Sequence, residues 1–185
     1  RFLLANAHVM AFRYPAGLMN HDQWAETIEK DFGDDIRGIS PFVHYESMAQ
    51  HNSLMHSVLI RGTNPELRAK VQGLASIVRP EGALEELQEE IRTQEESNRN
   101  LPSNPKVIVG RGLLSLLDAK VGDTISIVEP GSDDFGQLRT FKIAGTYDSG
   151  LKHYDNKLIL MSLTSAQRFF KMGSTVTGLE IGLHD

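Results

Sequence analysis

The chain has 185 residues and a formal charge of −5, and residues 81–100, with seven Glu against two Arg, account for all of that charge. The neutral remainder speaks against a nucleic-acid or membrane-surface protein. The absence of Cys excludes a disulfide framework or thiolate metal site.

Residues 6–14 alternate like a strand, with Ala7, Val9 and Ala11 opposed to His8, Met10 and Phe12. A turn at 15–17 leads to a helix with Asn20 as cap and Gln23 completing a loose capping box. Trp24, Ile28 and Phe32 share one helical face, the expected buried face, and Gly33 ends the helix. Residues 36–50 form a long strand, and 54–62 pair back on it through a turn at His51 and Asn52. Pro65 opens a short helix over 64–73.

An amphipathic helix begins at 81 on Ala83, Leu84, Leu87 and Ile91, and its polar tail from Arg92 to Asn100 is expected to fray. After a linker at 102–105, strands at 107–109, 124–128 and 140–146 and a helix over 113–117 build a second small body. The apolar run LILM at 158–161 suits a strand covered on both faces, and Ser162 can cap the helix that carries Leu163, Ala166 and Phe170. Gly173 ends that helix, and 176–183 alternates like a half-buried strand. A βαβ unit at each end implies an α+β protein: a split ferredoxin-like sheet with helices on one face, from residues 1–50 and 155–185, and a β-rich α/β lobe, 51–154, inserted between them.

The candidates for chemistry are weak. GRGLLS at 110–115 imitates a dinucleotide fingerprint, but its third position is Ser and no ribose-binding acid follows, so no cofactor is inferred. His44, His51 and His56 lack the spacing of a zinc motif and read as solvated hairpin side chains, leaving no metal site. Asp148, Ser149, His153 and Asp155 supply the residue types of a hydrolase triad without a nucleophile elbow, and a turn explains them. Glu85, Glu86, Glu89 and Glu90 read as a solvated helix face. No catalytic residue is assigned.

Eleven short stretches, in order, carry a resemblance: NAHV (6–9), SPFV (40–43), LIRGTNP (59–65), VIVG (107–110), GDTI (122–125), DSG (148–150), YD (154–155), SAQ (165–167), FF (169–170), MGS (172–174) and VTG (176–178). Together they resemble the periplasmic domain of the LolC/LolE family of lipoprotein-releasing ABC transporter permeases, within a wider class that includes MacB and FtsX. The resemblance implies a domain in the periplasm, held by flanking helices in the bacterial inner membrane, which fits a chain starting at Arg1 without Met. It also implies a βαβ-based Porter lobe with an inserted Sabre lobe. The implied partners are a second permease subunit, a cytoplasmic ATPase, a lipoprotein cargo and a LolA-type chaperone, with no catalytic site or cofactor of its own.

In members that dock the chaperone, a long Pro-containing hook joins the two strands that here are 124–128 and 140–146. The connection here, 129–139, is short and lacks the usual Thr-Pro-Met-Gly stretch, as in LolE-type subunits. Pro130, Asp133, Asp134, Phe135 and Gln137 are the expected partner contacts of this loop. The alternatives are a MacB- or FtsX-type domain exporting another cargo or controlling a cell-wall hydrolase, and a free-standing enzyme whose flanks would lack membrane helices.

Overall fold

The computed structural model describes residues 8–13, 17–97, 103–130 and 137–184, with side chains of 94–97 excepted. Its organising element is a long hairpin. Strand β2 (Ile36–His51) turns through Asn52, at φ 52°, into β3 (Leu54–Thr63), and the two pair antiparallel from His51↔Leu54 to Phe42↔Thr63. Asn tolerates this left-handed turn conformation better than most residues. At the far end Asn64 Oδ1 accepts from Leu67 N at 3.1 Å and caps helix α2 (Pro65–Val71).

Four later strands complete a ring on this hairpin. They are β5 (Lys106–Gly110), β6 (Thr124–Glu129), β7 (Gln137–Tyr147) and β8 (Leu158–Ser162). β8 lies parallel to β3 and antiparallel to β5, β5 is parallel to β7, and β7 is antiparallel to β6. β6 then pairs with β2 at Ala49↔Ile127, so β2, β3, β8, β5, β7 and β6 close on one another. Closure covers the edges of these strands where they pair, and the hairpin tip at 54–58 pairs with β2 alone among the described residues.

The main core fills the ring. Val43, Ile60, Val107, Phe141, Ile143 and Met161 are fully buried there. Helix α4 (Arg111–Leu116) adds Leu113 and Leu114 to this cluster, and α6 (Leu163–Phe169) adds Ala166 and Phe169, whose ring meets Phe141 edge-on at 5.3 Å. Ser162 accepts from Ser165 N and caps α6, as the sequence predicts.

Outside the ring, the first half of β2 pairs with β9 (Gly178–Leu183), and β9 pairs with β1 (Val9–Phe12), both antiparallel. β1 and β2 therefore run parallel with β9 between them. Helix α1 (His21–Phe32) packs Ala25 and Ile28 against Ile39, Leu179 and Ile181. The opposite face carries Glu180, which α2 covers through Arg68. Helix α2, from the segment 51–154, thus covers the face opposite α1: Leu179, Glu180 and Ile181 alternate, and each of their two faces is buried by its own helix.

Two other expectations fail at α1. Trp24 and Phe32 are 54% and 57% exposed, so the contact face is Ala25 and Ile28. Asn20 sits at φ 52° and makes no side-chain cap, so the capping box does not form.

A smaller cluster joins Ile108, Tyr147 and Leu160 to Ala83 and Leu87 of helix α3 (Ala83–Ser97). The edge strand β4 (Val78–Arg79) pairs with β7, and the one-turn helix α5 (Lys152–Asp155) leads into β8. Helix α3 continues through Ser97, with Arg92 paired to Glu66, which corrects the fraying expected from Arg92 onward; the remainder of that tail, 98–100, lies outside the described residues.

Candidate functional site

The β6–β7 connection is held at its stem. Glu129 pairs with Gln137 across the last rung, and Ser47 Oγ donates to Val128 O at 2.8 Å from β2. The Glu129 carboxylate is buried and receives Lys171 Nζ at 3.0 Å and Arg139 Nε at 3.1 Å. Hydrogen bonds from Lys171 and then Arg139 hold its pKa below the ordinary 4.5. Lys171 follows α6 at φ 54°, so this ion cluster ties the loop stem to the end of that helix. Pro130 and Gln137 are exposed at the stem, whereas Asp133, Asp134 and Phe135 lie outside the described residues. Sequence reasoning missed the clamp because its partners come from three segments, and only the strand register brings them together.

Glu180 anchors a second buried charge cluster. It is 1% exposed and takes Arg68 Nε at 2.9 Å on one oxygen and Arg61 Nη2 on the other. Arg61 reaches it across β2, its guanidinium 4.3 Å from the Phe42 ring centroid. His44 stands on the same strand, and burial, followed by the Arg61 charge, lowers its pKa.

The three hairpin histidines are half-buried, which corrects the solvated reading. His51 sets Nδ1 3.1 Å from Leu117 O and Nε2 3.9 Å from Asp123, so it ties the hairpin turn to the α4–β6 connection. Among the described residues, no three His, Asp or Glu side chains converge to hold an ion.

The hydrolase-like residues form a local knot. Ser149 donates from N and Oγ to Asp155 Oδ1 at 2.9 and 2.7 Å, and Leu151 N donates back to Ser149 Oγ at 3.2 Å. His153 packs edge-on against Tyr154 and stands outside this network. The same knot explains the glycines of GRGLLS. A Cβ at Gly110 would collide with the Asp155 carbonyl, and one at Gly112 with the Asn156 side chain. The turn therefore occupies the space over α4 where a cofactor phosphate would need to lie.

The acidic helix holds one further correction. Glu85 and Glu89 face solvent, but Glu90 is 8% exposed. Its carboxylate accepts from Lys106 N at 2.6 Å and from Ser162 Oγ and Ser165 Oγ at 3.0 Å each. Burial raises its pKa above the ordinary 4.5, and these hydrogen bonds oppose that rise. Glu90 is a structural link between α3, β5 and α6, so it does not belong to the solvated helix face.

No family model matches the chain. In sequence it is similar to lipoprotein-releasing system transmembrane proteins. LolE of Haemophilus influenzae is 26% identical over 155 residues, 81% of this chain and 34% of the relative. LolC of Neisseria meningitidis serogroup B is 24% identical over 162 residues, 83% of this chain and 36% of the relative. The chain thus spans about a third of the length of the curated relatives it matches.

The fold is shared with the extracellular domain of the noncanonic ABC-type transporter YknZ from Gram-positive bacteria. That likeness has a TM-score of 0.56 at 11% identity, over 99% of this chain and 78% of the other. The periplasmic region of MacB from Actinobacillus actinomycetemcomitans gives 0.53 at 10% identity, over 96% and 67%. The resemblance to LolC/LolE read from the short motifs is present in the sequence comparison, and that to MacB-type domains in the comparison of folds. Among the described residues, no helix is long and apolar enough to cross a membrane.

Proposed function

We propose that this chain is the extracytoplasmic domain of an ABC transporter permease that releases lipoproteins from the inner membrane. The observation that carries this reading is its similarity to both LolE and LolC over about four-fifths of its length. Its shared fold with the YknZ and MacB domains supports the same placement. Membrane helices flanking this domain, a second permease subunit and a cytoplasmic ATPase complete the machine. ATP hydrolysis belongs to that ATPase, and the domain works by moving against its partners.

The terminal pieces 1–50 and 155–185 correspond on this reading to the Porter lobe, a split ferredoxin-like sheet, and 51–154 to the inserted Sabre lobe. The parallel course of β1 and β2 around β9 supports the split arrangement. The short link from Glu129 to Gln137 supports a hookless, LolE-like role, in which the domain faces the lipoprotein and leaves chaperone capture to its partner subunit.

The test is binding of a LolA-type chaperone to the unaltered chain and to a variant carrying a hook-length Pro-containing hairpin in place of residues 130–137. The graft is expected to gain binding that the unaltered chain lacks. Binding by the unaltered chain as tight as that of a hook-bearing domain overturns the LolE-like assignment.

A further inference from the structure

Strand β1 is the last strand at one end of the sheet and pairs with β9 alone among the described residues. Arg13 N donates to Thr177 O, so by the alternation of an antiparallel ladder Val9 and Ala11 also bond β9. The N–H and C=O groups of Met10 and Phe12 then point away from it. Native edges are ordinarily blunted by charge or Pro. The strand at the other end, β4, is two residues long, includes Arg79 and is followed by Pro80. β1 reads VMAF and carries neither device.

The two faces beside this edge differ in chemistry. Met10 Sδ stands 3.8 Å from Arg61 Nη2, so Met10 and Phe12 lie on the face opposite α1, where they are 44% and 65% exposed. Val9 and Ala11 stand opposite Ile181 and Leu179, against which α1 packs, so they lie on the α1 face, and the helix leaves both exposed. Helix α1 and the turn after it are strongly acidic: residues 20–35 hold six carboxylates and one Lys. Asp22 stands 3.0 Å from His21 Nδ1, and Glu26, Glu29, Asp31, Asp34 and Asp35 have no ion pair among the described residues.

These features select a partner. Free backbone groups on an open edge suit an extended segment of another protein, added as a further strand. Along such a strand successive side chains alternate between the two faces. One set lies beside Met10 and Phe12, where apolar groups bury the most surface. The other set rises toward α1, where the carboxylates attract a cation and repel another carboxylate. Lys and Arg suit that side, because their aliphatic stems pack on Val9 and Ala11 while the charged end reaches on toward the helix. The same negative charge disfavours an anionic lipid surface.

We propose that β1 accepts, as an added strand, an extended segment of a partner protein in which basic and apolar residues alternate. The backbone groups of Met10 and Phe12 hold the segment. Its apolar side chains pack on Met10 and Phe12, and its basic ones face the α1 carboxylates. The proposal rests on no part of the transport reading.

The experiment titrates this chain with three end-blocked peptides and follows amide ¹H–¹⁵N shifts and hydrogen exchange. The peptides are KVKVKVK, its Glu counterpart EVEVEVE, and KVKPKVK, whose central Pro interrupts a strand. KVKVKVK is expected to give saturable shifts at Met10 and Phe12 and to slow exchange of their amides, and the other two to do neither. Its affinity should fall about tenfold as salt rises from about 0.02 M to about 0.3 M. Met10→Pro removes an outward N–H without touching a bond to β9, so it is expected to fold and to lose the binding. No response to KVKVKVK, equal responses to KVKVKVK and EVEVEVE, or shifts confined to α1 overturn the proposal on the unaltered chain, whether or not the variant folds. So does a folded Met10→Pro that binds like the parent. Concentration-dependent dimers in ultracentrifugation that Met10→Pro dissolves, without peptide binding, give the edge to a second copy and overturn it as well.

Discussion

The strand ring and the layer outside it treat apolar side chains in opposite ways. In the ring, Val43, Ile60, Val107, Phe141 and Ile159 are all 0% exposed. In the outer layer, α1 buries no residue completely, all four residues of β1 are exposed, and Phe12 and Met19 are 65% and 64% exposed. The ring is closed by hydrogen bonding and filled to its centre. The layer depends on the β9 ladders and on Ala25 and Ile28. Global stability therefore resides in the ring, and the layer opens locally at smaller cost.

The largest effect that sharpens this contrast is expected in the ring. Phe141→Ala should cost about 3–5 kcal/mol in urea unfolding, because a fully buried ring leaves a cavity that closed strands cannot collapse around. A loss no larger than that of a surface substitution would break the comparison. Glu180→Gln comes next, at about 3 kcal/mol, because it removes the carboxylate that pairs with buried Arg68 and half-buried Arg61. Loss of the β9 register together with that destabilisation would show that the cluster also pins the layer to the ring.

A smaller, signed effect comes from two carboxylates. The folded pKa of Glu129 lies below its unfolded 4.5, so its stabilisation is complete above about pH 4.5 and is lost as pH falls through the folded value. The folded pKa of Glu90 lies above 4.5, so its contribution is complete below about pH 4.5 and is lost as pH rises through the folded value. Unfolding measured across this range should lose its acid limb in Glu129→Gln and its decline toward neutral pH in Glu90→Gln. Unchanged profiles would remove both groups from the linkage. The smallest effect is expected in the outer layer: Trp24→Ala should shift stability by less than about 1 kcal/mol. A loss near that of Phe141→Ala would mean that the layer is as integral as the ring.

Local signals made much of the fold legible. The Asn52 hairpin, the Pro65 helix and the Ser162-capped helix form where sequence places them, because a turn residue, a first-turn Pro and a capping hydroxyl act within a few residues. Ring closure was not legible, because β6 meets β2 only at Ala49↔Ile127 and Gln50↔Ser126, across more than half the ring's chain length. The spacing of Trp24, Ile28 and Phe32 is truly helical, but spacing alone does not say which face docks. Small Ala25 allows close approach on its side, and the two large rings remain outside.

The charged clusters show the same limit. Glu180 looks like an outward polar position in an alternating strand until α2 covers that face with Arg68. Glu90 lies in a run of acidic residues with nothing local to mark it, and its partners Ser162 and Ser165 lie some seventy positions later. The family resemblance was legible because it depends on many short stretches in order, and no single buried contact is needed to read it.

The most direct measurement of the proposed role is release of a lipoprotein from proteoliposomes containing the full-length protein that carries this chain, its partner permease subunit and its ATPase. The expected result is ATP-dependent appearance of the lipoprotein in soluble complex with a LolA-type chaperone. ATP turnover by the intact assembly without lipoprotein release, accompanied by export of a different cargo, would contradict it.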